Sequence, residues 1–216
     1  MASFSEIVDI YPVTGREFFK GRTDEEVIAA LAAGGARIVQ LRDKKATGRE
    51  LYNLSVLYRK ETLRHNMLLI INDRPDIALL CGADGVHLGR GDIPIPQARK
   101  ILGPAAIIGG SSHSPEEAAQ VEAEGATYVN IGPIFQTTTK PGVKAVGLEA
   151  LSRTITKVQI PVTCMGGITE DNIKDVLGAG GRHIGAVGAV FGHEDISLTV
   201  SRLISFIKTK ERSTKL

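Results

Sequence analysis

Asp73 ends an Ile71-Asn72-Asp73 run, and Asp92 follows a Gly89-Arg90-Gly91 turn. Carboxylates without histidine or cysteine at ligand spacing suit a hard cation, Mg2+ above all, completed by water and phosphate oxygens. Each aspartate also has a plainer use. Asp73 would cap a helix starting near Pro75, and Asp92 would close a surface turn. Gln40, Arg42 and Lys44 alternate, so at the end of a strand all three side chains would point one way. Arginine brings a planar fork for phosphate or carboxylate, whereas lysine brings a movable point charge. Lys140 ends a Thr137-Thr138-Thr139 run, which sets hydroxyls beside an ammonium. Any one of these cations would ordinarily be just solvated. Three of them at predicted strand ends, beside two acids, are harder to dismiss, and for the acids both the cation and the cap-and-turn readings stay open.

Other chemistries lack their residues. His65, His87, His113, His183 and His193 fall in a strand or near element ends and are expected to be structural or solvated. His113, beside a helix start, is the one to watch. No Ser-His-Asp or Cys-His arrangement is supported by the spacing. Cys81 and Cys164 have no metal or redox spacing and read as small buried apolar side chains in a reducing cytosol.

The elements that must position these residues alternate along the chain. Candidate strands are Ile7–Val13, Ala36–Gln40, Leu68–Ile71, Gly85–Leu88, Ile107–Gly109, Tyr128–Ile131, Pro161–Cys164 and Ile184–Val187. Each is followed by a loop and an amphipathic stretch, and their near-continuous apolar character fits a parallel sheet buried on both faces. Thr23-Asp24-Glu25-Glu26 and Ser114-Pro115-Glu116-Glu117 carry helix-start patterns, while Gly34-Gly35, Gly125 and Gly180-Gly181 sit where helices should stop. Eight units predict a single-domain (β/α)8 TIM barrel over residues 1–216, with an open doubly wound sheet as the alternative. The ends of barrel strands converge on one face. That rule gathers Gln40 to Lys44, Asn72-Asp73, Gly89 to Asp92, Ser111 to His113, Thr137 to Lys140, Gly166-Gly167 and Gly188 on one rim. Gly166-Gly167 after the seventh strand, before a helix starting near Thr169 to Asn172, and Gly188 after the eighth read as a phosphate cradle of backbone N–H groups.

Composition narrows the partners. The chain has 26 lysines and arginines against 24 aspartates and glutamates, a net charge of +2 without long single-sign runs, so bulk charge predicts neither nucleic acid nor membrane. No segment approaches the roughly 20 apolar residues needed to span a bilayer, which points to a cytoplasmic protein. The basic end from about 209 to 216 reads as a short disordered, solvated tail.

Six stretches in order carry a resemblance to a known family: Gln40-Leu41-Arg42-Asp43-Lys44, Ile71-Asn72-Asp73, Ala83 to Gly89 leading to Asp92, Gly110-Ser111-Ser112-His113, Gly132 to Phe135 running into Thr137 to Lys140, and Gly166-Gly167-Ile168. Together they resemble the thiamine-phosphate synthases along nearly the whole chain. The resemblance implies a transferase that joins 4-amino-2-methyl-5-hydroxymethylpyrimidine diphosphate to a thiazole phosphate, with Mg2+ as cofactor and small molecules as partners. A homo-oligomer is compatible with it. By the same resemblance Gln40, Arg42, Lys44, Asn72, Ser111 and Lys140 would hold the pyrimidine diphosphate, with Arg42, Lys44, Ser111 and Lys140 serving catalysis. Asp73 and Asp92 would hold Mg2+. Thr137, Thr139, the Gly166 and Gly167 amides and the Val187-Gly188 backbone would hold the thiazole phosphate. Gly188 departs from the pattern, because relatives often carry serine there. Gln136 and Cys164-Met165 depart as well, away from the charged chemistry. Two neighbouring readings stay open: a thiazole tautomerase-like barrel, which typically has a catalytic histidine where this chain has Gly132-Pro133, and a non-catalytic thiamine-phosphate sensor.

Overall fold

The computed structural model describes residues 4–137 and 142–214. Eight strands lie where the apolar runs predict them: β1 (Ile10–Pro12), β2 (Ile38–Leu41), β3 (Leu68–Asn72), β4 (Gly85–Leu88), β5 (Ile107–Ser112), β6 (Tyr128–Ile131), β7 (Val162–Met165) and β8 (His183–Ala186). Among the described residues ten α-helices accompany them: α1 (Phe4–Ile7), α2 (Asp24–Ala33), α3 (Gly48–Arg64), α4 (Pro75–Cys81), α5 (Ile95–Leu102), α6 (Pro115–Ala123), α7 (Gly147–Lys157), α8 (Ile173–Gly178), α9 (Gly188–Phe191) and α10 (Ile196–Thr214).

All seven strand pairings are parallel, in the order β1-β8-β7-β6-β5-β4-β3-β2. The seam between β1 and β2 is drawn together by a parallel bridge between Val13 and Gln40, with the Thr14 N–H donating to the Gln40 carbonyl at 2.9 Å. This is the (β/α)8 barrel, and the open-sheet alternative falls away.

Among the described residues the buried hydrophobic side chains form two clusters. The larger one, with Val39, Leu41, Leu69, Ile71, Val86, Val129 and Ile131 among its members, packs the strands against the helices. The smaller one, Phe4, Val8, Tyr11, Ile38, Ile70 and Tyr128, combines alternate strand residues with the N-terminal segment. Phe4 stacks on Tyr128 with ring centroids 4.3 Å apart, so α1 helps to fill this cluster. The first strand begins at Ile10 rather than Ile7 for that reason: the preceding residues turn inward to bury Phe4 and Val8. Tyr128 has room because its neighbour on β5 is Gly109, where a Cβ would lie 2.0 Å from the tyrosine ring.

Helix starts obey local chemistry. Thr23 and Thr47 each form a complete capping box, with Glu26 and Glu50 as partners. Ser114 caps α6 through the Glu117 N–H, but the Glu117 side chain turns to the His113 N–H instead of completing the box. At the other end of the chain α10 continues to Thr214, through most of the segment expected as a tail. Lysine, glutamate and arginine are good helix formers, and no proline or glycine interrupts the run after Ile196. Among the described residues no helix is long and apolar enough to cross a membrane.

Candidate functional site

A cavity of about 400 Å3 opens where the strands end. Nine residues singled out from the sequence line it: Gln40, Arg42, Asn72, Ser111, Thr137, Gly166, Gly167, Val187 and Gly188. They come from six different strand ends, which is how a barrel concentrates chemistry from distant parts of a chain. Val13, Phe18, Met165 and Ile168 add apolar wall, so the space suits a ring system with polar anchoring groups. Thr139 and Lys140 lie outside the described residues.

Arg42 is fixed by its neighbour across the seam. The fully buried Thr14 hydroxyl accepts the Arg42 N–H at 2.8 Å and donates to the Arg42 carbonyl at 3.0 Å. Replacing Thr14 by valine keeps the shape and removes both bonds. The expected cost is about 1–3 kcal/mol of stability, because a backbone donor and acceptor are left without that partner, and turnover should fall as Arg42 loosens. Urea denaturation together with a rate assay would check both. Asp43, the acid within the same motif, serves structure. Its carboxylate accepts the Lys45 and Ala46 N–H groups and lies 3.6 Å from Arg16.

Beside the cavity stand the two acids. Asp73 occupies a left-handed backbone conformation (φ 63°), uncommon for a residue with a side chain, directly after β3. Its carboxylate meets the Lys44 ammonium at 3.2 Å. The Asp92 carboxylate accepts the Gly89 N–H at 2.7 Å, so it does close the turn. The Asp73 carboxylate is its close neighbour. Partial burial, and then this neighbouring carboxylate, push the Asp92 carboxyl above the usual aspartate range, although Gly89 and Lys44 pull the other way. Two acids held against each other form a position that attracts a cation. Lys44 therefore belongs to this acidic corner, slightly apart from Gln40 and Arg42, because β2 has ended at Leu41.

The opposite wall carries the glycine cradle. Gly166 and Gly167 both have positive φ, 98° and 66°. A Cβ on Gly166 would lie 2.4 Å from Pro133 Cβ, and one on Gly167 would lie 2.5 Å from the Gln136 carbonyl. Only glycine meets both demands, which leaves the backbone bare toward the cavity. Asn172, the residue before α8, braces the loop by donating to the Gly167 carbonyl at 2.8 Å and accepting the Thr169 N–H at 2.8 Å. Beside it, after the neighbouring strand β8, the N–H groups of Gly188 and Ala189 start a helical turn and have no carbonyl within it to bind.

A chain of polar contacts runs between two of the lining residues. Gln40 Nε2 donates to Tyr11 Oη at 2.9 Å, and Tyr11 Oη lies 2.6 Å from Tyr128 Oη. Tyr128 Oη lies 2.9 Å from His87 Nδ1, and His87 Nε2 lies 2.9 Å from Ser111 Oγ.

Comparison with known proteins resolves which family combines these features. The model of the thiamine monophosphate synthase family matches residues 10–190. A thiamine-phosphate synthase from Caldicellulosiruptor saccharolyticus is 39% identical over 206 residues, covering 95% of this chain and 93% of that protein. One from Chloroflexus aurantiacus is also 39% identical, covering 98% and 99% of the two chains. The chain belongs to the thiamine-phosphate synthase family. The solved thiamine phosphate pyrophosphorylase from Pyrococcus furiosus superposes with a TM-score of 0.88 at 35% identity, over 96% of this chain and 99% of that one. A 3-hexulose-6-phosphate synthase, at 19% identity and a TM-score of 0.67, shares the fold alone.

Further residues of the cavity and its rim stand outside the charged motifs. His87, expected to be structural or solvated, is buried, lines the cavity and contacts Ser111. It lies on β4 paired with Asn72 of β3, a register that only the folded sheet reveals. Asn130 also lines the cavity and is held by the Thr163 hydroxyl at 3.1 Å. His113 lies on the rim, with Nδ1 3.2 Å from Glu117, which also contacts Arg90. Burial opposes the charge on Glu117, but His113 and Arg90 together hold its carboxyl below the usual range.

Proposed function

We propose that the cavity binds an aminopyrimidine diphosphate and a thiazole phosphate together and joins them, releasing pyrophosphate and forming thiamine phosphate. Family membership over most of the chain supplies the reaction. The observation that carries the residue assignment is one cavity lined by an arginine at one end and by the paired-glycine cradle at the other, beside two facing aspartates. Two anionic substrates need two such ends.

In this reading the diphosphate lies toward Arg42, Lys44, Asn72 and Lys140, and the pyrimidine ring between Gln40 and Ser111. The thiazole phosphate rests on the Gly166-Gly167 and Val187-Gly188 backbones with Thr137 and Thr139. Asp73 and Asp92 fit Mg2+. They offer only hard oxygen donors, and two neighbouring carboxylates favour a cation between them. Bound there, Mg2+ would supply positive charge for the diphosphate, with water and phosphate oxygens completing its shell.

The residues then account for the chemistry. The methylene C–O bond breaks and its electron pair leaves with pyrophosphate, whose charge Arg42, Lys44 and Lys140 neutralise. The ring amino group donates electrons to the cationic carbon left behind. The thiazole nitrogen lone pair attacks that carbon, and the cradle fixes the distance by anchoring the phosphate. Apolar walls from Val13, Phe18 and Met165 limit water, the competing nucleophile. No protein nucleophile or base takes part. The two free thiols, one of them fully buried, fit a reducing cytosol. The test is product identity: with both substrates and Mg2+ the purified protein should form a compound with the mass of thiamine phosphate. Isomerisation of the thiazole without C–N bond formation would indicate the tautomerase, and binding without any product would indicate the sensor.

The departure at position 188 yields a separate prediction. A Cβ built on Gly188 finds the Phe18 ring no nearer than 3.9 Å, and the residue lacks a positive φ. Gly188→Ser should therefore fold normally and add a hydroxyl to the phosphate pocket. The expected effect is a roughly tenfold lower KM for the thiazole phosphate, about the worth of one hydrogen bond to a charged group. Steady-state kinetics would check it.

A further inference from the structure

We infer that Tyr11, Tyr128 and His87 act as a positioning relay that fixes the hydrogen-bonding polarity of Gln40 and Ser111, and so selects a 4-aminopyrimidine over its 4-oxo counterpart. The inference rests on the reading of the cavity as a pyrimidine site and adds to it how the ring is chosen.

The polarity follows from counting donors. Gln40 Nε2 can only donate, and it donates to Tyr11 Oη. The Tyr11 proton then goes to Tyr128 Oη, 2.6 Å away, and the Tyr128 proton to His87 Nδ1 at 2.9 Å. That arrangement makes His87 the tautomer protonated on Nε2, which donates to Ser111 Oγ at 2.9 Å. Two groups are left for a ligand in the cavity: the Gln40 carboxamide oxygen as an acceptor and the Ser111 hydroxyl proton as a donor. A 4-aminopyrimidine offers the complement, an exocyclic N–H donor and a ring-nitrogen acceptor. A 4-oxo ring instead places an acceptor against the acceptor of Gln40.

The surroundings support a relay over a chance contact. Tyr11 and Tyr128 are both fully shielded from solvent. Burial pushes both phenols above the usual tyrosine range, so each keeps one proton to donate. Reversing a single link would set two donors or two acceptors against each other in a buried chain, so the five groups must turn together. Gly109 keeps the space for Tyr128, and Phe4 stacks on its ring from the side of the N-terminal segment.

The experiment uses non-hydrolysable diphosphonate analogues of the pyrimidine substrate, carrying either a 4-amino or a 4-oxo group, with affinities measured by titration calorimetry. Wild type should prefer the amino analogue by about 100-fold, since a site built around hydrogen bonds rejects the mismatched ring strongly. Tyr128→Phe keeps the stacked ring and cuts the chain, so Gln40 can flip its amide and His87 can change tautomer. The amino-to-oxo ratio should then fall to about tenfold or less, mostly through tighter binding of the oxo analogue. Tyr11→Phe should do the same from the Gln40 end and serves if Tyr128→Phe does not fold. Phe4→Leu, which removes packing but no hydroxyl, should lower the melting temperature and leave the ratio at the wild-type value. If wild type prefers amino while both tyrosine variants keep the full ratio, the relay is wrong and the pyrimidine site stands. If wild type binds neither analogue, the pyrimidine reading itself fails and takes the relay with it.

Discussion

Replacing Asp92 by asparagine is expected to cut turnover by about 10²- to 10³-fold while slightly raising the melting temperature of the metal-free protein. The loss follows from removing one of the two carboxylates that would hold Mg2+ beside the departing diphosphate. The gain follows from the same pair. Asp92 is pushed above its ordinary range by burial and by the Asp73 carboxylate, so in the folded state it holds its proton more tightly than in the unfolded chain. Stability from such a group is fully present below its unfolded pKa and is lost as pH rises through the folded pKa. At neutral pH the ionised Asp92 therefore opposes folding, and asparagine relieves it while still accepting the Gly89 N–H. The difference in melting temperature between variant and wild type should shrink as pH falls through the carboxylate range. Excess Mg2+ should restore part of the lost turnover. A variant that loses stability at neutral pH, or keeps wild-type turnover at low Mg2+, would contradict the assignment.

Lys140→Ala is expected to lose a comparable factor, about 10²- to 10³-fold in turnover, with an unchanged melting temperature and circular dichroism spectrum. The lysine follows three threonines in the segment between Thr137, on the cavity wall, and Gly142. In the proposed reaction its ammonium stabilises charge that accumulates as pyrophosphate leaves, so the effect should fall on turnover more than on the KM for the thiazole phosphate. Mg2+ should not rescue this variant, which separates it from Asp92→Asn. Wild-type turnover would remove Lys140 from the mechanism.

Much of this site was legible in the sequence because a parallel barrel turns linear order into geometry. Once eight apolar runs are assigned as strands, the residue after each is known to face one rim, and that rule alone placed Gln40, Arg42, Asn72, Ser111 and Gly166 together. β4 and β6 agree to the residue, since glycine or turn residues bound them on both sides. What escaped depends on contacts with no local pattern. Tyr11 and Tyr128 meet across 117 residues, so nothing near either one announces a shared hydrogen bond. His87 could be recognised as a cavity residue only after its register with Asn72 was known. Lys44 kept the alternation of a strand on paper, but β2 stops at Leu41 and the side chain turns to Asp73 instead. Asp43 sits within the most distinctive motif and yet bonds to its own loop and to Arg16, a pairing that only the folded chain reveals.

Pyrophosphate release from the purified protein, measured with the aminopyrimidine diphosphate and with thiazole phosphate and Mg2+ each supplied or withheld, decides whether this barrel is a synthase. Sustained release is expected only when both are present, one pyrophosphate for each thiamine phosphate formed. A folded protein that binds thiazole phosphate but releases no pyrophosphate under any combination would contradict that expectation.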